Sequence, residues 1–293
     1  MTTRLELDAA RARWRALADA EPRVRAIARF HDRWLEGLAE RESPSVALHL
    51  SSEEADEAIR AGRPLLIAGA LEIDPDELDA ELRAVSGALA ETGSGESERV
   101  ARTVASAPID FREGLAAAVR GDDAAVEAAA FRTSLALDPF RTLLQLAVQP
   151  ALWTASEQCR SLTDLARWSR GYCPVCGAWP LYGELVGPQR ERQLRCGRCG
   201  AAWAWGILLC PYCGENDHRR LSKLENPEER ESRRVDLCER CHGYVKAIAS
   251  FTPVPAPQIA AEDVATLHLD LAARERGYQR PGRVLDPASA RSN

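Results

Sequence analysis

The chain has 293 residues, a net charge of −6 and a sequence pI of about 5.6. With 28% charged and 45% hydrophobic residues it has the balance of a folded chain of about two domains rather than a disordered one. No run of about 18 apolar residues marks a membrane span, MTTRLELDAARARW offers no apolar stretch for a secretory signal, and the acidic balance argues against a coat of basic charge for nucleic acid.

Residues 1 to about 165 read as helical. Val24, Ile27, His31, Leu35 and Leu38 recur at helical spacing, and Ala28, Phe30 and Trp34 widen the stripe. Asp74-Pro75-Asp76-Glu77 predicts a helix start: Asp74 as N-cap, Pro75 in the first turn, Glu77 at capping-box spacing. Leu78, Leu82, Val85 and Leu89 give its buried face, and Gly93-Ser94-Gly95 its end. Asp138-Pro139 repeats the start signal ahead of Phe140, Leu143, Leu144, Ala147 and Val148, and Pro150 is expected to interrupt that helix. The Ala-rich stretch 114–130 is helical by propensity. No strong strand alternation appears before residue 170, so strands are not expected there.

From about 171 Gly, Cys, Trp and Tyr become frequent, and five of the seven tryptophans fall between 153 and 205. The runs 181–186 and 201–209 suit strands. Pro253, Pro255 and Pro257 predict an extended linker. Residues 262–276 read as one last helix, with Val264, Leu267, His268 and Leu271 on its buried face and Gly277 where a C-cap glycine belongs. A lone amphipathic helix is not stable, so it is expected to pack back on the body. The expected organisation is an α-helical domain over 1–170, a small β module over 171–252 in two parts (171–207 and 208–252), and a linker with a C-terminal helix over 253–293.

Eight of the nine cysteines form four C-x-x-C pairs within 69 residues: Cys173/Cys176, Cys196/Cys199, Cys210/Cys213 and Cys238/Cys241. In a reducing compartment such clustering is metal-ligand spacing more often than a disulfide framework. The intervening gaps of 19, 10 and 24 residues group the pairs as two four-Cys sites, each with an excursion long enough for a β-hairpin. The turns C-P-V-C-G at 173–177 and C-P-Y-C-G at 210–214 share one form, and C-G-R-C-G at 196–200 is close to it. Two thiolates must converge on one ion about 2.3 Å away. Pro fixes one φ and the Gly after the second Cys accepts a positive φ, so both belong to the ligand geometry. His242 follows the last pair but four Cys already fill a tetrahedron, so it is read as a neighbour rather than a ligand. Four thiolates suit zinc or a single iron, and the spacing does not separate them. Tyr172, Trp179, Trp203, Trp205, Tyr212 and Tyr244 near the turns are read chiefly as the small core of the module. Cys159 reads as a buried free thiol on a helix.

No nucleophile elbow, Walker loop or dinucleotide fingerprint is present, and His31, His49, His218 and His268 are scattered, so no enzyme is expected. Glu53-Glu54, Asp122-Asp123 and Glu262-Asp263 stand near helix starts, where the dipole favours acids. Within 171–250 there are 12 Lys and Arg against 10 Asp and Glu. Arg190, Arg192, Arg195 and Arg198 cluster, as do Arg230, Arg233 and Arg234, but Glu191, Glu228, Glu229 and Glu231 are interleaved. That is a mixed solvated surface, which disfavours a nucleic-acid partner.

The segments CPVCGAWP, LRCGRCGAAWAW, CPYCG, DLCERCHGYVK and DVATLHLDLAARERGYQR, following an Ala/Leu-rich helical half, resemble the formate dehydrogenase accessory proteins of the FdhE family. The resemblance spans about 171–280. It implies a cytoplasmic protein without catalysis of its own, needed for active formate dehydrogenase and thought to bind its catalytic subunit. It also implies tandem rubredoxin-like sites that hold iron or zinc. Carried over by position, the ligands are Cys173, Cys176, Cys196 and Cys199 for one ion and Cys210, Cys213, Cys238 and Cys241 for the other. The expected partner is that catalytic subunit, with a homo-oligomer also compatible. A rubredoxin-like redox protein and a zinc-ribbon nucleic-acid binder are the alternatives, told apart by colour on oxidation and by salt dependence of binding.

Overall fold

The computed structural model describes residues 2–229 and 231–281; Arg230 of the basic cluster and residues 282–293 of the C-terminal segment lie outside the described residues. In chain order the elements are α1 (Arg4–Ala20), α2 (Arg25–Glu40), β1 (Val46–His49), α3 (Ser52–Ala61), α4 (Leu65–Ala68), β2 (Ala70–Ile73), α5 (Pro75–Thr92), α6 (Gly95–Ser106), α7 (Arg112–Arg120), α8 (Asp123–Thr133) and α9 (Leu137–Leu162). There follow β3 (Tyr182–Val186), β4 (Glu191–Arg195), β5 (Ala202–Ala204), β6 (Leu221–Leu224), β7 (Arg233–Cys238), β8 (Tyr244–Ser250), α10 (Ile259–Val264) and α11 (Leu267–Glu275). Contacts divide the chain into one unit of residues 1–50, 69–158 and 256–261 and another of 51–68, 159–255 and 262–293.

The first unit is helical. A capping box between Thr3 and Glu6 starts α1, and Arg11 ties it to Asp32 and Glu36 of α2 at 2.9 and 2.6 Å. Between the two helices Trp14 stacks on His31 with ring centroids 4.3 Å apart. Burial pushes the imidazole down to about 3, so His31 is a neutral core ring. Asp74 caps α5 by accepting from the Asp76 N–H at 2.8 Å, with Pro75 in the first turn and Gly93 at the C-cap. Glu77 does not close a capping box. Its carboxylate instead accepts from the Ser45 N–H at 2.6 Å, an amide that the chain entering β1 presents to it.

Two expectations for this half are corrected. Strands do occur before residue 170: β1 and β2 pair antiparallel from Val46↔Ile73 to His49↔Ala70. The Gln158 side chain supports the pair, donating to the Val46 carbonyl at 2.8 Å and accepting from the Leu48 N–H at 3.2 Å. VALH and ALEI do not strictly alternate apolar with polar residues, so neither signals a strand in the sequence. Pro150 does not interrupt α9, which runs through it. Leu146, Ala147, Val148, Ala151 and Leu152 are buried on both sides, and that burial offsets the roughly 3 kcal/mol a helix-interior proline costs.

The second unit is built on a six-stranded sheet of order β5-β4-β3-β8-β7-β6. Each Cys excursion is a hairpin, β3–β4 and β6–β7. The third strand of each part lies beside the second, giving 5-4-3 and 8-7-6. The two parts are joined head to tail by parallel pairing of β3 with β8, from Gly183↔Ala247 to Val186↔Ser250. The run 201–209 yields only the three-residue β5. Pro253–Pro255 is tied to the sheet: Glu184, buried on β3, accepts from the Val254 N–H at 2.7 Å, and Arg195 donates to the Val254 carbonyl.

The last helix is broken at Thr266 into α10 and α11, and its buried face is not the expected one. Leu267 and Leu271 are about half exposed. Leu269 and Ala273 instead join Val235, Leu237 and Tyr244 in a core on β7 and β8. Asp270 points the same way, because Lys246 lies fully buried beneath it at 2.6 Å. A buried cation fixes this face at the expense of the simple apolar stripe. Gly277 follows the helix with φ 84°.

Candidate metal centres

All four Cys pairs adopt one turn. The N–H of the first Cys donates to the carbonyl five residues on: Cys173 to Ala178 at 2.8 Å, Cys196 to Ala201 at 2.9 Å, Cys210 to Glu215 at 2.9 Å and Cys238 to Gly243 at 3.0 Å. The residue after the second Cys is left-handed each time: Gly177 at φ 76°, Gly200 at 72°, Gly214 at 71° and, without glycine's freedom, His242 at 52°. The loop folds the backbone around the sulfurs, and the Arg198 N–H donates to Cys196 Sγ at 3.4 Å.

The hairpins bring the turns together in two clusters: Cys173, Cys176, Cys196 and Cys199, and Cys210, Cys213, Cys238 and Cys241. Within each, the four Sγ atoms lie within 4.8 Å of one another. Cys173–Cys199 and Cys176–Cys196 are 3.5 Å apart; Cys210–Cys241 and Cys213–Cys238 are 3.7 Å apart. A tetrahedron with ligands about 2.3 Å from its centre has edges of roughly 3.8 Å. The donor set and spacing therefore fit a thiophilic ion at both places, and both groups could hold one. His242 is in neither cluster; its ring lies 5.8 Å from that of Tyr278.

Electrostatics agree with a cation-demanding site. In the first cluster burial pushes Cys173 and Cys199 up, while hydrogen bonds from Cys173, Cys196 and Cys199 pull Cys176 down. Four sulfurs in contact cannot all ionise without a cation between them. The Arg198 guanidinium is held in its charged form against burial by these same sulfurs. In the second cluster the hydrogen bond from Cys210 lowers Cys241 and raises Cys210. Cys159, buried on α9, is a thiol that burial pushes up to about 12.

The clusters differ in cover. All four sulfur residues of the first are buried, whereas in the second Cys213 is half-buried and Cys241 exposed. The turn 173–177 is overlaid by residues 62–67. The Leu65 and Leu66 N–H groups donate to the Pro174 and Val175 carbonyls, both at 2.9 Å, and the Tyr172 hydroxyl donates to the Gly62 carbonyl at 2.7 Å. These contacts carried no signal in the sequence, since α4 is a four-residue helix far upstream. Of the expected aromatic residues, Tyr172, Trp179 and Tyr212 form a half-buried chain with Trp168, while Tyr244 belongs to the separate core on β7 and β8. Rings run Trp168–Tyr172–Trp179–Tyr212 at centroid distances of 5.4, 6.0 and 5.3 Å, linking the turn at 173 with that at 210. The basic cluster is largely internal: buried Arg192 pairs with Asp236 at 3.1 Å, and buried Arg195 with Glu184 at 3.3 Å.

Residues 208–285 match the family model described as FdhE, C-terminal domain. Over those residues the chain is similar to the FdhE C-terminal domain. That domain takes in β6–β8, α10, α11 and the second cluster, while the first cluster lies upstream of the matched residues. Among curated proteins, the FdhE homolog of Pseudomonas aeruginosa is 33% identical over 127 residues, 41% of this chain and 41% of that protein. The FdhE homolog of Aquifex aeolicus is 29% identical over 145 residues, 48% and 50% of the two chains, and that of Shewanella baltica (strain OS185) 32% over 108 residues, 36% and 35%. The matched segments thus span about a third to a half of these relatives. The crystal structure of the FdhE protein from Pseudomonas aeruginosa has the same fold, with a TM-score of 0.66 over 98% of both chains at 21% identity. The FdhE likeness read from the Cys turns and the terminal helix therefore holds, and the fold class expected from the sequence is the one observed.

Proposed function

We propose that this protein is a non-catalytic maturation factor for formate dehydrogenase, acting in the cytoplasm by contact with the enzyme's catalytic subunit. The observation that carries the reading is the pair of tetra-Cys clusters built into one sheet within an FdhE fold. Each cluster supplies four thiolates and so would hold zinc or iron in a closed tetrahedral shell. When bound, such an ion cross-links the two turns of a hairpin, and ligation becomes folding free energy for a unit with a small core. The chain's own part is to hold the four sulfurs at tetrahedral spacing and to present a rigid surface to the client. Among the described residues no helix is long and apolar enough to cross a membrane.

The test is affinity capture of the client with elemental analysis of the same sample. The expected result is co-purification of the formate dehydrogenase catalytic subunit with two ions per chain. Cys176→Ser should lose one ion and the client together. A Cys176→Ser protein that stays folded, keeps two ions and binds the client normally refutes the reading. The exposure of Cys241 favours one second reading, electron exchange at an iron-loaded second cluster. A chain purified without oxygen that turns red on oxidation supports it, and a colourless zinc protein refutes it.

A further inference from the structure

The two clusters share one turn geometry but not one degree of access. A Cβ at Gly177, in the first, would meet Pro64 Cγ at 3.3 Å and Ile67 Cδ1 at 3.8 Å, whereas one at the equivalent Gly214 would meet nothing within 4 Å. Residues 62–67 roof one turn; the second cluster is packed differently, with Gly171 against the Pro211 carbonyl and the Gln279 N–H on the His242 carbonyl, and among the described residues this packing leaves Cys241 exposed. Cys173, Cys176, Cys196 and Cys199 are all buried, while Cys241 is exposed and Cys213 half-buried. A cavity of about 40 Å³ also reaches the second cluster. Cys210 and Cys238 line it, together with Tyr212, Lys223 and the half-exposed Ile207 and Leu208, while Cys241 lies outside its lining and meets solvent directly. A space of that size holds about three waters.

We propose that the second cluster is an exchange site, in which a thiophilic metal ion enters and leaves by thiolate substitution at Cys241, while the first cluster is closed and retains its ion. The partner is a soft thiolate donor: a low-molecular-weight thiol or a cysteine of another protein. Its sulfur bonds to the ion as the ion–Cys241 bond breaks. The proton released by the donor thiol passes through solvent to the departing Cys241 sulfur, and the ion keeps its charge, so no electron moves. The other three sulfurs stay on their turns and hold the ion until the transfer completes. At the first cluster the same substitution needs the roof at 62–67 to open first, which makes it a local-unfolding event. The proposal rests on both clusters holding metal, and the experiment reads that separately.

The full chain is loaded with zinc without oxygen, counted by elemental analysis, then challenged with glutathione and a chromogenic zinc chelator. Two equivalents are expected. One should leave at least about tenfold faster than the other, the ratio that ~1.4 kcal/mol of extra opening free energy produces. The fast rate should rise in proportion to glutathione and the slow rate should not. Pulsed N-ethylmaleimide labelling read by peptide mass spectrometry should reach Cys241 first, then Cys210, Cys213 and Cys238, with the first cluster protected. Pro64→Ala should speed the slow release and leave the fast one unchanged. Two equivalents released at one rate, a fast rate independent of glutathione, or first labelling at Cys173, Cys176, Cys196 or Cys199 would overturn the proposal alone. Fewer than two equivalents would overturn the two-centre reading and the proposal with it.

Discussion

Replacing Lys246 by Met tests how the C-terminal helix is held on the sheet beside the second cluster. Its side chain is fully buried, yet its ammonium lies 2.6 Å from Asp263 Oδ1 and 2.6 Å from Asp270 Oδ2, and donates to the Asp263 carbonyl at 2.8 Å. Methionine fills a similar volume but strands two carboxylates whose side chains are only 24% and 12% exposed. Breaking one side of a buried pair costs about 3–5 kcal/mol. Arg280 remains on Asp263 at 3.1 Å and on Asp270 at 2.6 Å, and the Tyr244 hydroxyl still donates to Asp270 at 2.8 Å. The expected loss is therefore at the lower end, about 3 kcal/mol. Because the chain divides into two units, a single unfolding midpoint is not the proper readout. Amide hydrogen exchange over β8 and α11 is: ~3 kcal/mol corresponds to roughly hundredfold faster exchange there. Lys223→Met, which changes the exposed Lys223, serves as control and should stay within about 0.5 kcal/mol of wild type. Adding Asp270→Asn to Lys246→Met should recover part of the loss by removing a stranded charge. Exchange in Lys246→Met within about threefold of wild type would refute the reasoning, since it would mean the ammonium does not compensate the carboxylates.

Gly214→Ala should cost about 1 kcal/mol for the left-handed backbone alone, and Gly177→Ala measurably more, because Pro64 must also yield; equal losses of amide-exchange protection at the two turns would argue against a roof over the first turn. His242→Gly should relieve left-handed strain and stabilise the second cluster by up to ~1 kcal/mol, with two ions retained on elemental analysis; losing one equivalent would make His242 a ligand. Burial by itself would raise the Asp263 carboxyl, but Lys246 and Arg280 outweigh it and hold it below its ordinary value of 3.8. Its contribution is thus fully present above that value and lost as pH falls through the lower folded one, so exchange protection of α10 and α11 should hold at pH 5 and fall below about pH 4. Asp263→Asn should remove that step.

The cysteine turns were legible because their constraints are local: two sulfurs, a left-handed residue and a return hairpin all fit within one short segment. The start of α5 was legible for the same reason, down to Asp74 and Pro75. The misses are long-range. The β1–β2 pair depends on a Gln158 side chain more than a hundred residues away. The continuity of α9 past Pro150 depends on burial that no turn rule contains. The last helix was turned the wrong way because Lys246, on another strand, makes Asp270 an inward residue. The roof over residues 173–177 comes from residues 62–67, which carry neither cysteine nor aromatic. Local chemistry thus predicted where the sulfurs converge, but tertiary contacts decide how open each cluster is.

Parallel pairing of β3 with β8 has a consequence for biosynthesis. At ribosomal rates of about 5–20 residues per second, β3 waits roughly 3–13 s after leaving the tunnel before β8 follows. Through that interval one edge of the β3–β4 hairpin is a row of unsatisfied amides and carbonyls. The first four cysteines are already in place, so an ion captured early would rigidify that hairpin before its missing neighbour exists. A fragment beginning at residue 208 meets the converse difficulty. It keeps four sulfurs but leaves the β8 edge bare, a template for self-association between copies.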